Sequence, residues 1–525
     1  MALLRSFATV GGLTGVSRVL GLVRDILIAQ AVGTEDVADA FFVAFRLPNM
    51  FRRIFAEGAF NAAFVPLFAR RLEQEGRPAA KRFAEEAMSL LISVLLPFLL
   101  LAMVAMPWLM LVLAPGFIPD TPKFDLTVDL ARITFPYLLF MALVALLSGV
   151  LNSLYRFAAA AAAPVLLNVF FICALVAVLP FTGFAGHVMA WAVAAAGAAQ
   201  FLALIWASAR EGMALRLPRP RLTPGSKDLL RLMLPGVISA SALQINLVVG
   251  TIIASQQAGA VSFLYYADRV YQLPLGLIGI AFGVVLLPDL ARKLRSGAAA
   301  AAMATMNRGL ELGMLLTLPA AVALAVIAEP IVIVLFERGA LTREGSEAIA
   351  WALVAFAFGL PSFVLAKILQ PAFFAREDTK TPLKFALVSV AANIVLSLLL
   401  FLPLKHVGIA LATTIAGWLN CFLLAGRLRS SAFLVLDERC RRRLPRIFLA
   451  ALAMGLALWG LSMPLTPWFD GGTLVRLAGL GILVTAGLAA FALATLALGG
   501  SSLQDMRALL KRPKADGAAP ADDAS

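Results

Sequence analysis

Apolar residues run along the chain in blocks, broken by short polar or Gly/Pro-rich stretches such as GTED at 33–36, PGFIPDTP at 115–122 and ERGALTRE at 337–344. Each block is about 20 to 30 residues long, the length a helix needs to cross a bilayer. The pattern predicts fourteen helices, over 6–32, 37–69, 83–114, 126–154, 159–181, 186–209, 228–256, 261–291, 307–336, 346–374, 382–402, 406–429, 444–463 and 473–499. No block is set apart as a water-soluble domain.

Sidedness follows from alternate loops. The N-terminus, the stretches near 70–82, 156, 210–231, 292–308, 376–384 and 427–446, and the tail hold 31 Lys and Arg, whereas the opposite loops hold 4, namely Lys123, Arg338, Arg343 and Lys405. Basic residues stay on the cytoplasmic side, so both termini are expected there, which requires an even number of spans. The tail after Ser501, with Arg507, Lys511, Arg512 and Lys514, reads as a surface helix followed by disorder.

The chain also repeats itself. A shift of 226 places Leu4-Arg5 on Leu230-Arg231, Gly33 on Gly259 and Leu47-Pro48 on Leu273-Pro274; at a shift of 222, VPLFARRL at 65–72 meets LPDLARKL at 287–294. The expected architecture is therefore an all-α polytopic membrane protein with fourteen transmembrane helices. Two six-helix lobes are related by pseudo-two-fold symmetry, and two further C-terminal helices stand outside the repeat. The corresponding divisions are 1–220, 221–430, 431–500 for the last two helices, and 501–525 for the tail.

Composition agrees with the pattern. Of 525 residues, 61% are apolar and 14% charged, which excludes a soluble globular domain. The net charge of +14 would suit nucleic acid in a soluble protein, but here it sits in the loops that orient the helices, so no nucleic-acid partner is expected. Cys173, Cys421 and Cys440 are scattered within or beside apolar blocks and read as small core residues, without a disulfide or a metal. Arg18, Arg24 and Asp25 interrupt the first apolar block, which argues against a signal peptide.

Nine basic residues fall within the predicted spans: Arg18, Arg24, Arg46, Arg52, Arg53, Arg132, Arg269, Lys367 and Arg476. A charge near the bilayer centre costs about 2.5–3.5 kcal/mol on insertion scales, so each needs water, a partner or a ligand. Six of the nine lie in predicted helices 1, 2 and 8, with Asp25, Asp39, Glu57 and Asp268 beside them. Six positive against four negative leaves a surplus of two, as an anionic ligand would require, and the planar fork of Arg suits phosphate oxygens. Alternatives stay open at this stage. Arg46 and Arg53 could be a structural ladder with Asp39 and Glu57, and Arg24, Arg52 and Arg53 could reach an interface by snorkelling. Arg132, Lys367 and Arg476 are isolated and read as helix-end or packing residues. His187 and His406 sit at outer loop edges.

SRVLGLVRD at 17–25, DAFFVAFRLPNMFRRIFAEGAFNAAFVP at 39–66, YYADRVYQLP at 265–274 and VLLP at 285–288 closely resemble the MurJ (MviN) family, the lipid II flippases of bacterial peptidoglycan synthesis and cell-wall biogenesis. The resemblance extends over nearly the whole chain. It implies the fold of the multidrug/oligosaccharidyl-lipid/polysaccharide exporter superfamily, with the last two helices forming a groove for the undecaprenyl tail. It further implies that Arg18, Arg24, Arg52 and Arg269 bind the pyrophosphate, and that Asp25, Asp39, Arg53 and Glu57 set the state of the cavity. Arg52 is taken over Arg53 from the resemblance alone. The sodium site attributed to some members finds no matching carboxylates here, the eleventh helix offering Asn393, so an ion or the membrane potential remains the candidate drive and no cofactor is expected. Lipid II, the bilayer and cell-wall polymerase machinery are the implied partners, and the inner membrane the implied location.

Two other readings compete. A flippase for another polyprenyl-linked saccharide fits the same residues, whereas an ion-coupled exporter of organic cations calls for a carboxylate cavity, which the Arg surplus opposes. An enzyme acting on isoprenoid phosphates would need a metal-binding acidic motif; the cytoplasmic loops contain no D-x-D or D-D-x-x-D, and Asp522-Asp523 lies in the tail.

Overall fold

The computed structural model of the chain describes residues 2–54 and 60–500, so Glu57 and the tail from Ser501 lie outside the described residues. Among the described residues every regular element is helical. In the first half α1 spans Ala2–Val32, α2 Asp36–Phe51, α3 Asn61–Gln74, α4 Arg77–Val104, α5 Met106–Leu113, α6 Pro122–Thr134, α7 Tyr137–Ser153, α8 Phe157–Cys173, α9 Leu179–Thr182 and α10 Ala185–Arg210. In the second half α11 spans Pro224–Ala254, α12 Ala260–Arg295, α13 Ala299–Val326, α14 Ala328–Phe336, α15 Arg343–Ala357, α16 Leu360–Phe374, α17 Lys380–Ser430, α18 Glu438–Leu465 and α19 Thr473–Ala497. Helix occupies every predicted segment, and nine stretches of the described residues are long and apolar enough to cross a membrane. The protein is a polytopic all-helical membrane protein.

Segments and helices do not correspond one to one, and proline accounts for much of the difference. Its ring clashes with the preceding turn and it has no N–H to donate. The third predicted segment breaks at Ala105, two residues before Pro107, and the fourth at Phe135-Pro136. The eleventh and twelfth segments run together as α17, bent after Pro403 where Lys405 takes φ 51°, ψ −134°. At that bend the His406 N–H donates to Gln257 Oε1 at 2.9 Å, and the imidazole stands between Gln257 Nε2 at 3.2 Å and the Ala348 carbonyl at 2.9 Å. A ring nitrogen facing a carbonyl must carry the proton, so Nε2 donates and Nδ1 accepts from the amide. Neutral His406 with Gln257 thus satisfies polar groups that the bend exposes.

Helix starts obey the capping rule. Thr121, Thr223 and Thr342 accept from the N–H of Phe124, Ser226 and Gly345, and Asp437 accepts from Cys440. Ahead of α17 the Asp378 carboxylate accepts from the Thr381 N–H at 3.0 Å, and hydrogen bonds from Thr381 hold its pKa below the usual range. The two glycines equated by the internal repeat, Gly33 and Gly259, both have left-handed backbone, with φ 54° and 75°. A Cβ on Gly33 would stand 2.5 Å from the Ala340 carbonyl oxygen, so close approach adds to the backbone requirement.

The helices pack as two compact units. Among the described residues, one comprises the chain up to Leu273 with Ala328–Gly359 and Leu383–Asn420; the other comprises Pro274–Ile327, Leu360–Pro382 and the chain from Cys421. In the first, Phe60, Phe64, Phe68 and Phe83 stack at centroid spacings of 5.0 to 5.6 Å within an aliphatic core supplied by α4 and α7. In the second, α18 packs on α13 and α19. Glu311 of α13 is clasped by Arg443 at 2.5 Å, Arg439 at 3.2 Å and Arg308 at 2.5 Å.

The sidedness expectation can be checked by labelling single cysteines placed in a cysteine-free background. Thr182→Cys, in a loop counted as outer, reacts with an impermeant maleimide in intact cells. Ser430→Cys reacts only after permeabilisation; the reverse order inverts the topology.

Candidate functional site

The charged residues of α1 and α12 gather around one carboxylate. Asp25 is 3% exposed. Its Oδ1 accepts from Arg24 Nε at 3.0 Å and Nη2 at 2.8 Å, and from the Tyr265 hydroxyl at 3.2 Å. Its Oδ2 lies 3.5 Å from Arg269 Nε. Arg24 also donates to Asn168 Oδ1 at 3.0 Å, while the Asn168 amide donates to the Ser17 carbonyl at 2.8 Å and so fixes the amide's orientation. Phe42 stacks on Tyr265 with centroids 3.8 Å apart, and the Arg269 guanidinium lies 4.6 Å from the Tyr265 centroid. The aromatic pair and the carboxylate together hold Arg269 in a fixed place.

Beside this cluster is a cavity of about 310 Å3. Arg46, Arg53 and Arg269 line it with one carboxylate, Asp268. Asn49, Asn246, Gln272, Asn393 and Thr413 add uncharged hydrogen-bonding groups, and Phe42, Phe45 and Tyr265 an aromatic wall. Arg46 Nη1 donates to Thr251 Oγ1 at 2.5 Å, Asn393 donates to Asn246 at 2.6 Å, and Gln272 donates to Asp268. Three guanidiniums against one carboxylate leave a surplus of two positive charges; including Arg24 and Asp25 adds one of each and leaves it unchanged. Such a wall can take an acid with two negative charges, each oxygen meeting a forked donor.

The predicted residues divide among several places. Arg24, Asp25 and Arg269 come together, and Arg269, Arg53, Arg46 and Asp268 line the cavity. Arg18 is exposed on α1. Arg52 donates to Asn49 at 3.1 Å, and the cavity wall takes Arg53 rather than Arg52. Asp39 belongs elsewhere. Fully buried, it accepts from the Gly259 N–H at 2.8 Å, the Ser262 N–H at 3.0 Å, the Ser262 hydroxyl at 2.6 Å and Lys123 Nζ at 3.0 Å. Tyr266 donates to the Gly33 carbonyl and the Ala340 N–H to the Gln30 carbonyl in the same layer. Asp39 thus ties α2 and α6 to the start of α12 at the loop end that the charge count assigns to the outside. Sequence reasoning missed Asn168, Thr251, Tyr265, Lys123 and Ser262; for Asn168 the signal was an isolated amide in the run AAAAAAPVLLNVFFIC.

Residues 28–479 match the family profile described as "Lipid II flippase MurJ". A protein of Rhizobium tropici described as "Probable lipid II flippase MurJ" is 46% identical over 531 positions, covering 100% of this chain and 99% of that protein. The chain belongs to the lipid II flippase MurJ family. A solved structure of lipid II flippase MurJ in an inward closed conformation is similar in fold, with TM-score 0.75 at 23% identity over 96% of this chain and 99% of that one. An inward-facing multidrug resistance MATE family transporter of the MOP superfamily gives TM-score 0.67 at 16% identity over 79% and 95%. The expectation drawn from the charged motifs, a MurJ-family chain with the exporter-superfamily fold, is borne out.

Within this MurJ-family chain the buried Asp25 is the common partner of two cations, Arg24 with its side chain 11% exposed and Arg269 with 34%. Removing one member of a buried pair costs about 3–5 kcal/mol because a charge stays behind uncompensated. Asp25→Ala should therefore lower the unfolding temperature in detergent markedly. Asp25→Ala combined with Arg24→Met should recover part of that loss, and a double variant no more stable than the single would show that Asp25 and Arg24 are not coupled.

Proposed function

We propose that the chain moves lipid II, the undecaprenyl-pyrophosphate-linked peptidoglycan precursor, from the cytoplasmic to the periplasmic leaflet of the inner membrane by alternating access. The observation that carries this reading is the cavity's surplus of two guanidinium charges, equal to the charge of a diphosphate diester, in a chain of this family. Arg46, Arg53 and Arg269 meet the diphosphate, and Arg24 supports Arg269 through their shared Asp25. A cavity of about 310 Å3 has room for the diphosphate but not for the whole saccharide-peptide head group, so loading requires a wider opening.

The Asp39 layer closes the outer end while the ligand enters from the cytoplasmic side. The halves 1–220 and 221–430 then rock, the layer parts, and carboxylates such as Asp25 and Asp268 take over the guanidiniums when the lipid leaves. No bond is made or broken and no cofactor is needed. An inside-negative potential assists, since each negative charge moved outward gains about 2.3 kcal/mol per 100 mV. Both termini lie in the cytoplasm, the groove of α18 and α19 takes the prenyl tail, and a cell-wall polymerase consumes the flipped lipid. An ion-coupled exporter of organic cations is disfavoured because the cavity carries the wrong sign.

In a host depleted of its own flippase, a leaflet assay for lipid II tests the assignment. Arg46→Ala and Arg269→Ala variants that reach the membrane should flip about 10- to 100-fold more slowly, the worth of one charge-assisted hydrogen bond. Lys at either position should restore part of the rate, the charge without the fork. Wild-type rates in both Ala variants would overturn the proposed binding site.

A further inference from the structure

A second cavity, of about 540 Å3, lies where α7 ends, α8 begins and α10 ends, and the transport reading makes no use of it. Tyr155, Arg156, Phe157, Trp206, Arg210 and Glu211 are among its lining residues. The backbone around it is built to present them. α7 closes with the Arg156 N–H donating to the Leu151 carbonyl at 2.8 Å and the Tyr155 N–H to the Asn152 carbonyl at 3.0 Å. That pair of bonds requires left-handed backbone at the second-last residue, a place usually taken by glycine. Here Tyr155 occupies it, with φ 60°, a strained conformation for any residue bearing a Cβ. The strained tyrosine is 76% exposed.

The charges at this cavity are not balanced. Arg156 Nε pairs with Glu211 at 3.0 Å, while the Arg210 guanidinium stands 4.7 Å from the Trp206 ring centroid. Two cations face one anion. On α10 the exposed residues Leu202, Trp206 and Arg210 recur every four positions, so they share one face. Ile205 is exposed beside them. The face thus passes from aliphatic to indole to guanidinium within little more than two turns, the order met on going from acyl chains to head groups in a leaflet.

We propose that this cavity binds an anionic glycerophospholipid. Arg210 and Arg156 hold its phosphate, Trp206 and Tyr155 sit at the glycerol level, and the acyl chains run along Leu202 and Ile205. A soluble phosphate would use the guanidiniums but would leave the aliphatic and aromatic half of the face without a role. By the loop charges the site lies at the cytoplasmic leaflet, and none of its residues belongs to the proposed transport cavity.

Quenching of Trp206 by brominated lipids tests the site in the full-length protein reconstituted in phosphatidylcholine, with the Trp206→Phe protein subtracted. A minor fraction of brominated phosphatidylglycerol should quench Trp206 more strongly than the same fraction of brominated phosphatidylcholine. A guanidinium at the surface is worth about a fivefold preference for an anionic lipid, so Arg156→Gln/Arg210→Gln should abolish most of it. Glu211→Gln removes the competing carboxylate and should strengthen it, a result that stands even if the double variant does not fold. Equal quenching by the two lipids in the wild type overturns the proposal, as does a preference that the folded double variant retains or that Glu211→Gln weakens. Loss of the preference on adding glycerol phosphate overturns the lipid assignment in favour of a soluble anion.

Discussion

A guanidinium among apolar helices must be compensated, and Asp25 is where this protein does most of that work. One carboxylate, 3% exposed, meets Arg24 with one oxygen and Arg269 with the other, and takes the Tyr265 hydroxyl as well. Desolvating Asp25 and Arg24 is costly, and close geometry with their hydrogen bonds offsets it, while Arg269 keeps 34% of its side chain exposed. Every neighbour serves that condition: Asn168 orients Arg24, and Phe42 and Tyr265 give Arg269 an aromatic bed. The consequence is a rigid cationic wall with two positive charges left over. In the low dielectric of a membrane interior such a surplus attracts a diphosphate far more strongly than it would in water.

Backbone polar groups obey the same rule, because hydrocarbon offers them no partner. Pro48 has no N–H to give the Ala44 carbonyl four residues earlier; the buried Thr134 hydroxyl lies 3.4 Å from that oxygen and shares its proton between it and the Ala131 carbonyl at 3.2 Å. At the bend of α17 the Gln257 amide and the His406 ring satisfy each other and the Ala348 carbonyl. These irregular points lie within the compact unit that holds the cavity. The helices that must bend find partners for the exposed polar groups on neighbouring elements, and the bends are therefore fixed in place.

Much of this was legible in the chain itself. Block length gives helices wherever a bilayer must be crossed, and charged motifs inside such blocks are too costly to be accidental, so the family and the helical fold could be read directly. Partnerships could not. A polar residue in an apolar helix announces a need without naming what meets it. Asp39 lies seven residues from Arg46, which suggests a ladder, yet its cation is Lys123 and its other donors are Gly259 and Ser262, from elements far away in sequence. Arg52 and Arg53 differ by about 100° around an ideal helix, but α2 ends at Phe51, so spacing cannot tell which one meets the cavity. The bend that joins two predicted spans into α17 rests on the conformation of Lys405, which no residue pattern specifies.

The internal repeat explains why the site is lopsided. Arg18 and Arg24 of the first copy correspond to Gln244 and Gly250 in the second. Gly250 lines the cavity, and a Cβ added there would meet nothing within 4 Å. At the position of Arg24 the second copy therefore contributes open space, and it lines the cavity with neutral donors and acceptors at Asn246, Asn393 and Thr413 beside the charged pair Asp268 and Arg269. A symmetric site would double the cations brought by α1 without adding a ligand charge to match, and a diphosphate held by such an excess would leave slowly. The surplus at the cavity therefore stays at two, the charge of the diphosphate that the proposed function brings there.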